Sequence, residues 1–284
     1  MNSYTPLTKL YPHGGREQHQ NSRQFTGSNE TNHLSFLYRY GWLLLYPLVL
    51  IFTAFMKIKN RNLAKGDRYL RHQIEFFSFS NRLQQRLSRK YLRPSDKFYK
   101  FRPFLNEYAF SGHDGRFLKM LDVATGCGFQ AKALKDAGAS EVIGIDIVPE
   151  RLDEARHLFG QKGITFMEMD AADLTFSDDY FDATVVSCAL HDMPTPIKRR
   201  AIAEMVRVTR PQGNVVIFEP RTFKSKPIGF FLGLVGELLD ESINIKEFVM
   251  DDLNPVLGEH GLELVAEQNV YVFKLLNIKL CRVK

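Results

Sequence analysis

Three acidic side chains follow three consecutive segments that the sequence predicts as β-strands. Asp122 ends the first strand in the run DVATGCG, Asp146 follows the second strand and Asp170 the third. The glycines let the backbone turn tightly and approach a ligand closely. An acid at the position of Asp146 can accept both hydroxyls of a ribose. Asp170, followed by two alanines, could accept from an adenine amino group and leave space for its ring.

Each of these signals has an ordinary structural explanation when taken alone. Glycine-rich turns are common, and an aspartate after a strand usually caps a helix or forms a turn. Acids after three successive strands are more specific, because ligands of open α/β sheets bind outside the carboxyl ends of the strands. We therefore interpret the set as a site for a ligand that contains a nucleoside.

The elements that would position these residues alternate from residue 117 onward. Strands are predicted at 117–124, 141–147, 164–169, 181–190 and 214–218, and helices at 129–137, 149–159, 195–209 and 244–260. Two closely spaced strands, 262–267 and 270–283, follow and could pair antiparallel. Strands that alternate with helices of this length predict βαβ units and an α/β fold with a doubly wound, mostly parallel sheet.

The sequence resembles the class I S-adenosylmethionine-dependent methyltransferases in four runs, LDVATGCGFQ, VIGIDIVPERLDEAR, FMEMDAADLTFSDDYFDATVVSCALHDMP and MVRVTRPQGNVVIFEP. The resemblance covers roughly residues 115–284. It is strongest to the small-molecule branch that includes quinone-biosynthesis C-methyltransferases. It implies a Rossmann-like methyltransferase fold with a seven-stranded sheet, and S-adenosyl-L-methionine as the cofactor.

The resemblance also implies roles for individual residues. The loop from Asp122 to Gly128 would hold the amino-acid end of the cofactor, Asp146 the ribose, and Asp170 the adenine edge. The predicted cofactor-binding set is Asp122, Ala124, Thr125, Gly126, Cys127, Gly128, Asp146, Ile147, Asp170, Ala171 and Ser187. Many members of the family carry glycine where Ala124 stands. Alanine is also small, so we expect cofactor binding to survive.

A dinucleotide-binding enzyme is the main alternative for the glycine loop. Residues 126–131 also fit the pattern G-x-G-x-x-A, and Asp146 stands where a dehydrogenase binds its ribose. Asp122 favours the methyl donor, because a carboxylate before the glycines suits an ammonium group and repels a pyrophosphate. Asp170 has no set role in the dinucleotide motif. We therefore favour the methyltransferase interpretation over an NAD-dependent dehydrogenase.

His191, directly after the fourth predicted strand, is the candidate catalytic residue, with Asp192 beside it. A sulfonium methyl group is already activated, so a general base is needed only where the acceptor must lose a proton. Histidine titrates near neutrality and could take that proton. The alternative, which we favour from the sequence alone, is that His191 only lines the site or bonds a backbone carbonyl.

The leader before residue 117 predicts three further regions. Residues 1–33 are polar and predict a disordered tail. Residues 34–58 predict an apolar anchor helix, in which the uncharged stretch 40–56 would cover about 25 Å, near the lower limit for a bilayer core. Residues 59–116 predict a basic helical cap or linker, and residues 117–284 the methyltransferase domain. The sequence leaves three alternatives for the anchor helix: it could span the bilayer, lie at the bilayer surface, or pack in the protein core.

Basic charge is concentrated in this leader. Residues 57–102 carry 14 Lys and Arg against 3 Asp and Glu, a pattern that suits an anionic membrane surface or a solvated cap. Nucleic acid is a less favoured partner, because no base-reading module is visible. The three cysteines are far apart in sequence and predict neither a disulfide framework nor a metal site. We expect membrane association with the catalytic domain on the cytoplasmic side, and otherwise a cytoplasmic protein.

The segment after the fifth predicted strand, 219–245, contains the apolar run 228–235. Such a run could line an acceptor channel, although it more often forms a packed helix. With the anchor, it predicts a lipophilic acceptor such as an isoprenoid quinone precursor or another lipid. The predicted function is methyl transfer from S-adenosyl-L-methionine to a small, lipophilic acceptor. A non-catalytic S-adenosylmethionine-binding protein and an RNA methyltransferase remain alternatives.

Overall fold

A computed structural model describes residues 102–113, 117–222, 244–270 and 276–284, with Ile51 and Pro227 as single residues. The predicted tail at 1–33 lies outside these ranges, as do most of the predicted anchor and of the basic cap. The apolar run 228–235 also lies outside them. Within the ranges that are described, no helix is both long enough and apolar enough to cross a bilayer.

Seven strands of the described residues form one sheet in the order β3-β2-β1-β4-β5-β7-β6. They are β1 Lys119–Val123, β2 Glu141–Asp146, β3 Thr165–Glu168, β4 Phe181–Ser187, β5 Thr209–Pro220, β6 Leu262–Val270 and β7 Leu276–Val283. The first five strands run parallel, and β7 is antiparallel to both β5 and β6. The predicted mostly parallel, seven-stranded sheet is confirmed.

Helices cover both faces of this sheet, as a doubly wound fold requires. They are α1 Arg102–Phe110, α2 Phe129–Asp136, α3 Pro149–Phe159, α4 Thr195–Val208, α5 Ile245–Met250 and α6 Leu253–Glu259. Leu105, Leu134 and Leu152 bury α1, α2 and α3 in the apolar cluster on one face. Ile202 and Leu257 belong to the cluster on the other face, which holds α4, α5 and α6.

Local sequence explains most of these elements. The central strands are buried along nearly their whole length, as in β4, whose run FDATVVS is rich in β-branched residues. The helix α3 has the bounds that the sequence predicts, and Pro149 stands in its first turn, where a fixed φ favours the helix. The chain therefore forms its parallel sheet from consistent local signals.

The predicted single helix over 244–260 is wrong, because two helices separated by Asp251 and Asp252 occupy this segment. Both aspartates have extended backbone. The side chain of Asp252 accepts a hydrogen bond from the Asn254 amide at 3.1 Å and so caps α6. The strand β5 is also longer than predicted, since it spans Thr209–Pro220 rather than 214–218.

The helix α1 lies in the region predicted as the basic cap, and it packs against the sheet. The side-chain amide of Asn214 on β5 donates to three carbonyl oxygens at the end of α1, those of Tyr108, Ala109 and Ser111, at 3.2, 3.2 and 2.7 Å. Carbonyls in the last turn of a helix lack partners within the helix, so a buried amide there stabilises its end.

The strand order reverses between β1 and β4, which are neighbours although β2 and β3 separate them in sequence. The chain turns to one face of the sheet after β1 and to the other after β4, since α2 and α4 pack on opposite faces. In folds of this kind, loops that leave two such strands on opposite faces form a crevice at the carboxyl edge of the sheet, and ligands bind there.

Three glycines separate backbone strain from steric contact in this fold. Gly128 has φ 80°, and a Cβ there would lie 2.7 Å from the Phe166 ring. Gly163 has φ 69°, and a Cβ there would have only the Lys135 side chain nearby, at 3.8 Å. Gly160 has no strained φ, and a Cβ there would meet open space. We expect substitution by alanine to lower the free energy of unfolding by about 3 kcal/mol or more at Gly128 and by about 1 kcal/mol at Gly163. At Gly160 we expect it to change by no more than about 0.5 kcal/mol. Urea unfolding measures these changes, and equal losses at Gly128 and Gly163 would show that the Phe166 contact costs nothing.

Candidate active site

The loop after β1 turns through left-handed backbone at three positions. Ala124, Gly126 and Gly128 have φ of 54°, 56° and 80°. Because an L side chain rarely adopts this conformation, Ala124 holds about 1–2 kcal/mol of strain that glycine would avoid. The Thr125 amide donates to the carbonyl of Ile145 on β2 at 2.7 Å, which fixes the loop against the neighbouring strand.

Asp122 lies at the end of β1 and is fully buried. Its Oδ2 accepts hydrogen bonds from the Thr125 hydroxyl at 2.5 Å and the Ala131 amide at 2.9 Å, whereas its Oδ1 has no hydrogen-bond partner among the described residues. Burial raises the pKa of Asp122 to about 6, against the lowering effects of Thr125 and Arg102. The carboxyl is therefore mostly ionised at neutral pH, and its unpartnered oxygen suits a cationic group.

Asp146 joins the loops that follow β1 and β2. Its Oδ2 accepts from the Gly126 amide and its Oδ1 from the Val148 amide, both at 2.9 Å. The side chain is buried, with 5% of its surface exposed. Each carboxylate oxygen has a second lone pair, so Asp146 can still accept from two ligand hydroxyls. Ile147, the next residue, is half-buried. Its exposed part could contact the ring of a bound base.

Asp170 follows β3 and differs from the other two acids because it is exposed. Its Oδ1 accepts from the Ala172 amide at 2.8 Å, which closes a turn. Ala171 and Ala172 are both buried behind it. An exposed carboxylate on a turn of buried alanines is free to meet a ligand from solvent.

The loop after Asp170 is held by an ion pair on α4. Arg207 donates to the carbonyls of Leu174 and Phe176, both at 2.8 Å. Glu204 contacts the same guanidinium at 2.7 Å and accepts from the Leu174 amide at 2.8 Å. The backbone that leads away from Asp170 is therefore fixed by charge-assisted hydrogen bonds.

His191 lies in a short 3-10 turn, Leu190–Asp192, that follows β4. It is 6% exposed, and its Nδ1 lies 2.7 Å from Oε2 of Glu219. The ring thus contacts a buried carboxylate. Glu219 is not among the site residues predicted from the sequence. An acid at the end of the fifth strand is the same signal that singled out Asp146 and Asp170.

Cys127 and Ser187 complete the predicted set, and both are half-buried. Burial raises the pKa of the Cys127 thiol to about 11, although the nearby Arg151 acts to lower it. The thiol therefore stays protonated at neutral pH, which argues against Cys127 as a nucleophile. Ser187 ends β4 and precedes Cys188, whose φ of 52° turns the chain sharply away from the strand.

The predicted residues lie along one edge of the sheet in the spatial order of their strands. Asp170 follows β3, Asp146 follows β2, the glycine loop follows β1 and His191 follows β4, which are consecutive neighbours. The amide of Met169, next to Asp170, donates to the Asp146 carbonyl at 3.1 Å. The edge thus presents carboxylates on one side of the glycine loop and a histidine on the other.

Comparison with known proteins finds relatives of the central part of the chain. A family model described as a methyltransferase domain matches residues 120–213. A demethylmenaquinone methyltransferase of Clavibacter sepedonicus is 36% identical over 111 residues, which cover 39% of this chain and 43% of that protein. One from Deinococcus radiodurans is 42% identical over 104 residues, which cover 36% of this chain and 42% of the relative. The chain thus spans less than half the length of either relative.

A solved structure shows the same fold over a larger share of the chain. The crystal structure of magnesium protoporphyrin IX methyltransferase from Synechocystis, with bound S-adenosylhomocysteine, aligns with a TM-score of 0.56. The alignment covers 74% of this chain and 97% of that protein at 18% identity, so it establishes the fold alone. Over residues 120–213 the chain is thus similar to a methyltransferase domain, and its fold is similar to that of a solved methyltransferase.

Proposed function

We propose that this chain transfers a methyl group from S-adenosylmethionine to a small, lipophilic acceptor. The observation that carries the proposal is the hydrogen bond of 2.9 Å from the Gly126 amide to Asp146. It joins the glycine loop after β1 to the ribose-type acid at the end of β2, next to the point where the strand order reverses between β1 and β4. The matched domain and the names of the two demethylmenaquinone methyltransferases support the proposal.

The residues present fit the parts of this cofactor. The unpartnered, ionised oxygen of Asp122 suits the ammonium of the amino-acid end, and the open lone pairs of Asp146 suit the ribose diol. Asp170 would accept from the adenine amino group, with Ile147 against the ring. The same ammonium argument disfavours an NAD-dependent dehydrogenase, since a pyrophosphate would meet the Asp122 charge.

The bound cofactor would supply a methyl group on a positively charged sulfur, which needs no further activation. The protein then has to align an acceptor with that methyl group and exclude water. His191 lies in the turn after β4, the strand that neighbours β1, and its buried ring could take a proton. The loop Asp122 to Gly128 would fix the donor on the other side.

Two features support a lipophilic acceptor. The relatives are named for demethylmenaquinone, an isoprenoid quinone precursor, and the segment 228–235 of this chain is strongly apolar. We therefore extend the proposal to a quinone precursor or another lipid as the acceptor class. Steeply salt-dependent RNA binding would instead favour an RNA substrate.

We also propose that the chain associates with the cytoplasmic side of a membrane through residues 40–56 and the basic residues of 57–102. The uncharged stretch and the basic flank support this proposal. Full-length protein should sediment with vesicles that contain anionic lipid, and deletion of residues 1–58 should weaken that binding. Equal recovery in the supernatant with and without vesicles would refute membrane association.

Ligand binding and transfer test the proposed function directly. We expect S-adenosylhomocysteine to bind in calorimetry with micromolar affinity or better, and NADH to give no heat of binding. Labelled methyl groups should then enter a lipid extract only when the protein is present. Binding without transfer to any acceptor would favour a non-catalytic S-adenosylmethionine-binding protein, and binding of NADH alone would favour a dehydrogenase.

Asp170 should contribute to affinity through the adenine amino group. We expect Asp170→Asn to weaken S-adenosylhomocysteine binding about tenfold, because a hydrogen bond to a charged acceptor becomes a neutral one. Asp173→Asn is the matched control, since Asp173 is exposed on the same turn and its amide donates to the Asp170 carbonyl. If both variants bind equally well in calorimetry, Asp170 does not contact the nucleoside.

A further inference from the structure

Glu219, the penultimate residue of β5, organises the turn that carries His191. Its Oε1 accepts from the Ala189 and Leu190 amides at 2.8 and 2.7 Å. Its Oε2 accepts from the His191 amide at 3.4 Å and contacts Nδ1 of the same residue at 2.7 Å. Glu219 is 2% exposed. A single buried carboxylate therefore fixes both the backbone of the turn and the ring of His191.

This contact determines which nitrogen of His191 carries the proton in the neutral ring. An ionised carboxylate only accepts hydrogen bonds, and the Oε2–Nδ1 distance of 2.7 Å is that of a charge-assisted bond. We therefore assign the proton of the neutral ring to Nδ1. Nε2 then carries the lone pair, so the neutral ring is a base at Nε2 and not at Nδ1.

The surroundings of the ring favour a positive charge on it after it takes a proton. Glu219 lies against Nδ1, and Oδ1 of Asp192 lies 3.9 Å from Nε2. The Phe248 ring of α5 covers His191 edge to face, with centroids 6.3 Å apart. The Lys198 ammonium lies over the Phe248 ring at 4.9 Å from its centroid. Two carboxylates thus adjoin the imidazole.

We propose that Glu219 is a positioning residue that holds His191 with Nε2 as the proton acceptor during methyl transfer. The inference rests on the proposed function and narrows its substrate class to acceptors that lose a proton, a hydroxyl or an acidic C–H. The acceptor oxygen or carbon forms a bond to the methyl carbon, while the carbon–sulfur bond breaks and leaves a neutral thioether. The acceptor proton moves to Nε2, and the resulting imidazolium pairs with Glu219.

A purely structural role for Glu219 would be limited to its bonds with the backbone amides of the turn. Glu219→Gln separates the two roles. The glutamine carbonyl oxygen can still accept from the Ala189 and Leu190 amides, whereas its NH2 group would donate to Nδ1 of His191. The variant should therefore keep the turn and shift the ring proton to Nε2, which removes the base at that atom.

The experiment uses the full chain with nitrogen-15 in its histidines. NMR reports the tautomer of His191, which is assigned by comparison with His191→Ala. We expect an Nδ1–H ring in the wild type and an Nε2–H ring in Glu219→Gln. Glu267→Gln is the matched control, because Glu267 is a strand-borne carboxylate bonded to Asn277 and Lys279 and has no bond to the turn. It should leave the tautomer unchanged.

Activity completes the test. We expect Glu219→Gln to bind S-adenosylhomocysteine within about threefold of the wild type and to transfer label into a lipid extract at least 100-fold more slowly, in the range of general-base loss. In the His191→Ala background, Glu219→Gln should cause no further loss, since it acts through the ring. The Glu267→Gln control should keep both binding and rate.

Several outcomes overturn the inference. They are an Nε2–H ring in the wild type, an unchanged rate in Glu219→Gln, or a further loss when it is added to His191→Ala. Should Glu219→Gln fail to fold, the wild-type tautomer alone decides the positioning claim. A wild type that neither binds S-adenosylhomocysteine nor transfers methyl groups refutes the proposed function instead, while the tautomer still reports on Glu219 separately.

Discussion

Backbone amides at the ends of parallel strands need acceptors, and in this fold the acidic residues of the site supply them. Asp122 accepts from the Ala131 amide, Asp146 from Gly126 and Val148, and Glu219 from the turn after β4. Sharp loops at the sheet edge expose donors that cannot be left unpaired when buried. The carboxylates that would meet a ligand therefore also hold the loops that shape its site, which ties binding to the local fold.

Much of the fold could be predicted because its signals are local. The buried strands, the proline-started α3 and the alternation of elements agree with one another at each level. The split between α5 and α6 could not be predicted from apolar spacing, because one capping side chain, Asp252, decides it. The contact between Asn214 and the end of α1 could not be predicted either, because Asn214 lies on β5, far from α1 in sequence.

The candidate site was predictable where a residue and its role lie in one segment. The acids after the first three strands could be found by their place in each segment, and the structure puts them along one edge. Glu219 acts on residues that precede it by 28 to 30 positions, so only the pairing of β4 with β5 brings them together. The sequence also could not show that the Thr125 hydroxyl is bonded to Asp122.

The position of β7 has a consequence for how the protein is made. Residues 276–283 follow the other six strands that the structure describes, yet they lie between β5 and β6 and pair with both. While the ribosome synthesises the protein, β5 has one open edge until this segment emerges, and β6 has no neighbour to pair with. The pairing of β7 with β5 is therefore a late folding step that joins segments far apart in sequence. Such non-local pairing is slow, and the unpaired strand edges are exposed to chaperones until it occurs.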